Sequence, residues 1–551
     1  MNSEIQNPKV EGRPKSETRN PKPETPAQHP RVSGTLGCAP PPLRAPQGIF
    51  GFRLSDFLRV SAFGFRIFPL LLAGCAVGPN YQRPTPLGTN AIPPAFSAPM
   101  PTNTGIWKPA QPSAHLPRGS WWEVFGDPEL NRLEVLATAN NQQLVAAYAN
   151  LQQARAQMGI ARAQFWPQIS AAPEVIRQRT SANASAASGS SSQSYTYNNF
   201  SIPLDASWEL DLWGRVRRTV ESTRASLTAS ADDLQSSKLS IQAEAAIDYI
   251  TLHSLDAQER VLDETTVAYR RSLELTRNRR KGGIATELDV SQAETILTGT
   301  EAQIPAVKLQ RAIALHALAT LCGQNAISFT VNVPTNIALV APGIPLGIPS
   351  QLLERRPDVA AAEHRVAAAN ANIGVATAAF FPALTINGLA GFQSIDASTL
   401  FNWESHVWSI GPSLSWPIFT GGRNRAQLAY ARAGYDATVA NYRQTVLSAF
   451  QDVEDALATQ HLLQDQYEKE NAALKSARRS VDISMTKYKG GVITYLDVVI
   501  AQGIALSHEQ TVVQLEAQRL AAVVSLIKAL GAGWNAAPEK GSQAQGSTPP
   551  K

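Results

Sequence analysis

From Phe200 to Leu212 the chain alternates, with Phe200, Ile202, Leu204, Ala206, Trp208, Leu210 and Leu212 apolar and Ser201, Asp205, Ser207, Glu209 and Asp211 polar between them. A period of two sustained over that length predicts a strand with one apolar and one polar face, which is what a tilted membrane-spanning strand needs. The pattern returns at Trp408, Ile410, Pro412, Leu414, Trp416 and Ile418, set against Ser409, Gly411, Ser413 and Ser415. Partner strands are expected near Gln168 to Thr180 and Leu384 to Gln393, where alternation is less strict. A soluble sandwich strand is the alternative, and the length of the runs and their Trp and Phe residues argue against it.

A second period is helical. Residues 215–281 contain no Gly or Pro, and every seventh position from Val220 reads Val220, Leu227, Leu234, Ile241, Asp248, Leu255, Leu262, Tyr269. Such a run predicts a helix of about 100 Å at ~1.5 Å per residue, packed on its neighbours in a left-handed supercoil. Residues 423–489 repeat it, interrupted only by Gly434, and return helices are expected from Thr286 to about Leu321 and from Thr494 to about Leu530, with Pro305 kinking the first.

The elements thus come twice in one order: helix, strand, loop, strand, long helix, Gly-Gly turn, helix. Gly159-Ile160-Ala161-Arg162-Ala163-Gln164-Phe165-Trp166-Pro167 returns as Gly374-Val375-Ala376-Thr377-Ala378-Ala379-Phe380-Phe381-Pro382. Lys281-Gly282-Gly283-Ile284-Ala285-Thr286-Glu287-Leu288-Asp289-Val290 returns as Lys489-Gly490-Gly491-Val492-Ile493-Thr494-Tyr495-Leu496-Asp497-Val498 at a slightly shorter spacing, which assigns a longer loop to Ser181 to Ser194 of the first copy. Two strands per copy are too few to close a barrel, and open strand edges are not tolerated in lipid. Association is therefore required, and three chains would supply about twelve strands, enough to enclose a pore.

Charge and targeting signals narrow the class. The net charge of +5 is spread along helices and a presequence without a clustered basic stripe, so nucleic acid is not an expected partner. No run reaches the ~18 consecutive apolar residues of a transmembrane helix. The longest, Ile67 to Val77, follows Arg59 and Arg66 and contains Leu72-Ala73-Gly74-Cys75, which reads as a secretory signal ending in a lipobox whose cysteine, Cys75, carries lipid. Ala76 is not an Asp, so inner-membrane retention is not signalled. Cleavage would leave Cys322 as the one free thiol, so no disulfide and no cofactor other than the covalent lipid is expected. Residues 1–50, where Asn2 to Lys9 is echoed by Lys15 to Lys22, form a low-complexity presequence and suggest a true start further downstream. The eight His show no metal-ligand spacing, and no nucleophile-elbow or phosphate-loop motif is present, so an enzyme is not expected and no metal site is assigned.

The lipobox, the duplicated Phe-x-Pro strands, the duplicated Gly-Gly turn with Leu-Asp-Val, and Gly347-Ile348-Pro349-Ser350-Gln351-Leu352-Leu353-Glu354-Arg355-Arg356-Pro357-Asp358-Val359 together resemble the TolC-like outer-membrane efflux family, in its NodT/OprM-like lipoprotein branch. The resemblance covers residues 75 to 535. It implies a mixed α and β membrane protein: a trimeric twelve-stranded β-barrel, four strands per chain, continued by a long coiled α-helical barrel built of two internal repeats. It implies a signal peptide at 51–74, a lipid-anchored segment at 75–120, repeats at 121–323 and 350–534, an equatorial connector at 324–349 and a disordered tail at 535–551. The implied function is a passive trimeric conduit that carries small molecules through the outer membrane of a Gram-negative bacterium. Its implied partners are the other copies of a homotrimer, a periplasmic adaptor (membrane fusion) protein, an inner-membrane RND-type pump and outer-membrane lipid. The resemblance places the adaptor-docking tip at Gly282, Gly283, Gly490 and Gly491, and a gate or constriction at Asp289, Asp497 and Tyr488. Ile500 stands where the family often has a second acid, which weakens the acidic constriction it implies. A conduit for type I protein secretion and a lipid-anchored periplasmic coiled coil with a structural role remain open alternatives.

Overall fold

The computed structural model describes residues 76–87, 119–181, 194–332 and 355–532. The presequence, the signal peptide, Cys75 and the C-terminal tail lie outside the described residues, as do most of 75–120 and of 324–349. A 3-10 turn at Trp121–Phe125 leads into α1 (Pro128–Asn140) and α2 (Gln142–Ala163); then come β1 (Gln168–Ala171), β2 (Glu174–Arg179), β3 (Thr196–Leu210), α3 (Arg215–Lys281), α4 (Glu287–Glu301) and α5 (Gln303–Leu321). The second half runs α6 (Pro357–Ala378), β4 (Ala383–Ser394), β5 (His406–Ser415), α7 (Arg423–Lys489) and α8 (Tyr495–Ala529). The two halves are copies, and α3 and α7 both have 67 residues, about 100 Å at ~1.5 Å per residue.

Proline explains where the periodic runs are cut. β1 and β2 are one strand in a single antiparallel register on β3, interrupted where Pro173 and Pro203 fall in the gap and neither can donate to the ladder. The four expected strands are thus drawn as five. β5 ends at Ser415, before Pro417, so Trp416 and Ile418 of the alternating run lie beyond it. Pro305 lacks the N–H that would bond Glu301, and the first return helix divides at Ala302, whereas α8 runs unbroken for 35 residues. Gly434 leaves α7 intact.

The strands form one antiparallel sheet, β1/β2 on β3, then β4, then β5. Three apolar clusters hold the helices. One joins Leu130, Leu133 and Ala137 of α1 to Tyr249 and Leu252 of α3, Leu318 of α5 and Ile527 of α8. A second packs Val359 and Val366 of α6 on Tyr442, Val446 and Val453 of α7. The third lies toward the Gly-Gly turns and unites both repeats. Caps order the start of the first repeat: Asp127 Oδ1 accepts from the N–H groups of Glu129 and Leu130 at 2.8 and 3.2 Å while its Oδ2 accepts from the Tyr249 hydroxyl at 2.7 Å. The seam read every seventh residue is buried at Ile241, Leu255, Leu262 and Tyr269 but only half-buried at Val220, Leu227 and Leu234, toward the sheet.

Candidate functional site: an amphipathic sheet and a helical tip

Cross-strand register settles which alternating residues share a face. Leu204 lies opposite Ala171 and Ala390, Ala390 opposite Trp408, Trp208 opposite Ile386, Ile386 opposite Pro412, and Leu210 and Leu414 both on Leu384. One face therefore carries Ile169, Val175, Leu204, Trp208, Ile386, Ile410 and Leu414, most of them exposed. The other carries Ser170, Ser201, Asp205, Ser207, Thr385, Asn387, Ser409 and Ser413, with Ser207 Oγ donating to Asn387 Oδ1 at 3.2 Å. Such a sheet suits apolar surroundings on one side and water on the other.

The sheet joins the helices through a dense polar knot. Asp211 accepts from the backbone N–H of Val216 at 3.1 Å and of Arg217 at 2.8 Å, capping the first turn of α3 from outside. Trp213 stacks on Phe381 at 4.8 Å and its indole N–H donates to the Pro382 carbonyl at 2.8 Å, linking the two repeats. The residues just after Cys75 thread through this knot: Val77 N donates to Trp213 O at 3.0 Å, and the buried Arg218 donates to Val77 O, Gly78 O and Asn80 Oδ1. Gly78, at φ +93°, passes so close to Gly374 that a Cβ on it would sit 2.5 Å from the Gly374 Cα.

At the far end of the long helices, the two Gly-Gly turns have the same geometry. Gly283 and Gly491 sit at φ +72° and +73°, and Ile284 N donates to Arg279 O and Val492 N to Lys487 O, both at 2.9 Å, closing the helix ends. A Cβ on either glycine would meet nothing within 4 Å, so within one chain the requirement for glycine is the left-handed backbone and the space beside it is open to a partner. Gly282 and Gly490 cap α3 and α7 at ordinary negative φ.

Asp289 and Asp497 begin the return helices as reciprocal caps. Asp289 Oδ2 accepts from Thr286 N at 2.7 Å and from Thr286 Oγ1 at 2.9 Å; Asp497 Oδ2 accepts from Thr494 N at 3.1 Å and Thr494 Oγ1 at 2.8 Å. Tyr488 is only 4% exposed. Its ring meets Tyr495 edge-on at 5.1 Å and lies under the Arg279 guanidinium at 4.8 Å, while Arg279 Nη1 donates to Lys489 O at 2.9 Å. Tyr495, within hydrogen-bond distance of Ser272 Oγ, and Tyr269, donating to Gln502 O, tie the two hairpins further, and burial raises both phenols above their usual range. Tyr488 thus bears on any constriction through the packing of the two hairpins rather than by projecting from the turn.

The periodicity reading missed the outer surface of the turns. Ile284 is 68% exposed, Leu288 65%, Val492 73% and Leu496 47%. These equivalent pairs put apolar side chains in water on both hairpins, around the open glycines. Their signal was present in the duplicated motif, where Ile284 and Leu288 recur as Val492 and Leu496.

A family model described as "Outer membrane efflux protein" matches residues 133–324 and 348–532, one block in each repeat. The chain is 33% identical over 482 residues to the toluene efflux pump outer membrane protein TtgC of Pseudomonas putida, covering 86% of this chain and 96% of that one. It is 31% identical over 465 residues to the cation efflux system protein CusC of Escherichia coli, covering 84% and 97%. Among solved structures it superposes on the Campylobacter jejuni CmeC outer membrane channel with a TM-score of 0.75 at 28% identity, covering 84% of this chain and 95% of that one.

Proposed function

The chain belongs to the outer membrane efflux protein family, and from that premise we infer that three copies close a twelve-stranded barrel continued by a helical tunnel, whose Gly-Gly tips dock a periplasmic adaptor. It is an outer-membrane channel of an efflux system in a Gram-negative bacterium and not an enzyme. The observation that carries the assembly is the sheet: it has one apolar face, and among the described residues β1/β2 and β5 each pair along one side only, leaving two edges that lipid does not tolerate. Pairing β5 of one copy with β1/β2 of the next satisfies both edges and closes a ring.

In this reading the apolar face meets lipid and the polar face lines a water-filled passage. Cys75 carries lipid, and Val77 and Gly78 shortly after it accept hydrogen bonds from Arg218 of α3. The adaptor grips Ile284, Leu288, Val492 and Leu496 where Gly283 and Gly491 leave room, and an inner-membrane RND-type pump supplies the cargo. Asp289, Asp497 and Tyr488 set the constriction through the cap and the packing described above. Relatives named for toluene and for cations are similar to the chain to nearly the same degree, which supports a passive conduit for small molecules that leaves selection to the pump.

Export measured in cells, with trimer yield and single-channel conductance measured on the purified protein, tests the tip. Gly283→Trp with Gly491→Trp is expected to abolish export while trimers still form and conduct, because neither turn touches the sheet. Normal export by that double variant would remove the docking assignment.

A further inference from the structure

We propose that Arg177 and Arg179 form a docking surface for the phosphate groups of outer-leaflet lipid headgroups, an inference that rests on the barrel reading above. The two-residue period that puts Val175 on the apolar face puts Arg177 and Arg179 on that same face, opposite Asn198 and Thr196. They stand where the sheet stops being apolar. β4 ends with Ser394 opposite Phe200, β5 begins with His406 opposite Phe392, and only β2 and β3 continue beyond, through Thr196 to Asn199.

The upper end of β4 and β5 is marked by aromatic rings, as at the border between hydrocarbon and headgroups. Phe401 lies 5.9 Å from Phe392, Trp403 stacks on His406 at 4.3 Å, and Phe401 and Trp403 are largely exposed. Arg177 pairs four residues further along β3 than Phe392 does. At ~3.4 Å per residue and a tilt of ~40°, its Cα stands about 10 Å above that aromatic level. That height is where headgroup phosphates lie, and because the tip turns are at the opposite end of the molecule, the leaflet concerned is the outer one.

The guanidinium groups are available. Among the described residues the Arg177 side chain has no polar partner, Arg179 Nη2 donates to Ser194 Oγ at 3.0 Å, and neither guanidinium is paired with a carboxylate. An arginine pair two residues apart on one strand face has Cα atoms about 7 Å apart, and two planar forks at that separation suit phosphate oxygens bidentately. Asn198 and Thr196 add neutral donors on the same face. Charge-neutral neighbours and an outward aspect distinguish the pair from the channel-side residues Gln178 and Tyr197, which hydrogen-bond to one another.

The full-length protein, purified as trimers, is placed in phosphatidylcholine nanodiscs containing either bisphosphorylated lipid A or the same lipid A without its phosphates, and retained lipid is counted by native mass spectrometry. The wild type is expected to retain about tenfold more bisphosphorylated lipid A than Arg177→Gln/Arg179→Gln, with no difference for the dephosphorylated form. Arg177→Lys/Arg179→Lys should fall between the two, because the charge remains while the bidentate fork is lost. Equal retention by wild type and the glutamine variant, with both still conducting, overturns this surface and leaves the channel intact. A wild type that does not conduct in planar bilayers of the same lipid composition overturns the barrel reading and this surface together.

Discussion

Glu134 lies on the buried side of α1, beside Leu130, Leu133 and Ala137, and among the described residues neither of its oxygens has a hydrogen-bond partner. Burial pushes its carboxyl up to about 9. The folded chain therefore holds a proton that the unfolded chain releases above the ordinary carboxylate range. The contribution of this group to stability is fully present below pH ~4.5 and is lost as pH rises toward about 9, by an amount on the order of several kcal/mol across the window. Glu134→Gln keeps the volume and removes the titration, so trimer melting compared at about pH 5.5 and pH 8.5 should show a loss for the wild type and little for the variant. Equal pH dependence would mean that the carboxyl finds a partner in the assembled protein. At the tip, Asp289→Ala with Asp497→Ala removes the aspartate half of both capping boxes. The expected result is a higher resting conductance and a weaker cation preference in single-channel recording, because the return helices loosen and two carboxylates leave the constriction. If neither quantity moves, the two aspartates act as caps alone. Both aspartates were legible as a repeated Leu-Asp-Val, whereas their pairing with Thr286 and Thr494 in capping boxes came from the structure. Glu134 was not legible, because nothing in a single helix turn announces that a neighbour will bury it.

At the scale of elements, the strands are the sharper case. Leu204 belongs to the apolar face and Ser413 to the polar one, as their cross-strand partners Ala390 and Thr385 require. Leu204→Arg should cost ~2–4 kcal/mol near the middle of a bilayer and Ser413→Arg little, which denaturant titration of trimers in lipid would resolve. Equal stabilities would reverse or remove the assigned faces. Strand faces were readable because the period of two survives in β3 and β5 with hardly an exception. The first strand was harder to see, since Pro173 cuts it and Arg177 and Arg179 interrupt its apolar alternation. Helices followed the same logic: α3 and α7 were evident from the absence of Gly and Pro, and the division at Ala302 follows from Pro305. Asp248 holds a position in the heptad seam, and burial with Glu244 nearby raises it to about 6.

For the whole molecule, one chain leaves unfinished surfaces. Besides the two sheet edges, α2 exposes Val145, Tyr148 and Ile160, α5 exposes Leu309 and Ile313, and α7 exposes Tyr430, Leu447 and Leu462. Apolar side chains along several helices have no reason to face water in a finished tunnel, and neighbouring copies would cover them. Mass measurement of the detergent-solubilised protein should return three chains, and a stable single chain that conducts would contradict the assembly. Cys75→Ser should lose the acyl modification in mass spectrometry yet still give trimers, since the barrel supplies the lasting anchorage. An unmodified wild-type peptide spanning Gly74 and Cys75 would remove the lipid assignment.

Periodicity is a property of consecutive residues, so the chain by itself determined the alternating strands, the two long helices, the duplication and the glycine turns. Register, burial and exposure depend on which other element lies alongside, and those the tertiary structure alone decided. Only the ladder through Leu204, Ala390 and Trp408 puts every apolar alternate on one face. Only the meeting of two hairpins, one from each repeat, sets Tyr488 between Arg279 and Tyr495 and leaves Ile284 and Val492 in water. Local pattern is encoded within a few turns of chain, whereas the contacts between the repeats, such as Leu204 with Ala390, Arg279 with Lys489 and Ser272 with Tyr495, join residues some two hundred positions apart, and no short window along the sequence contains both partners.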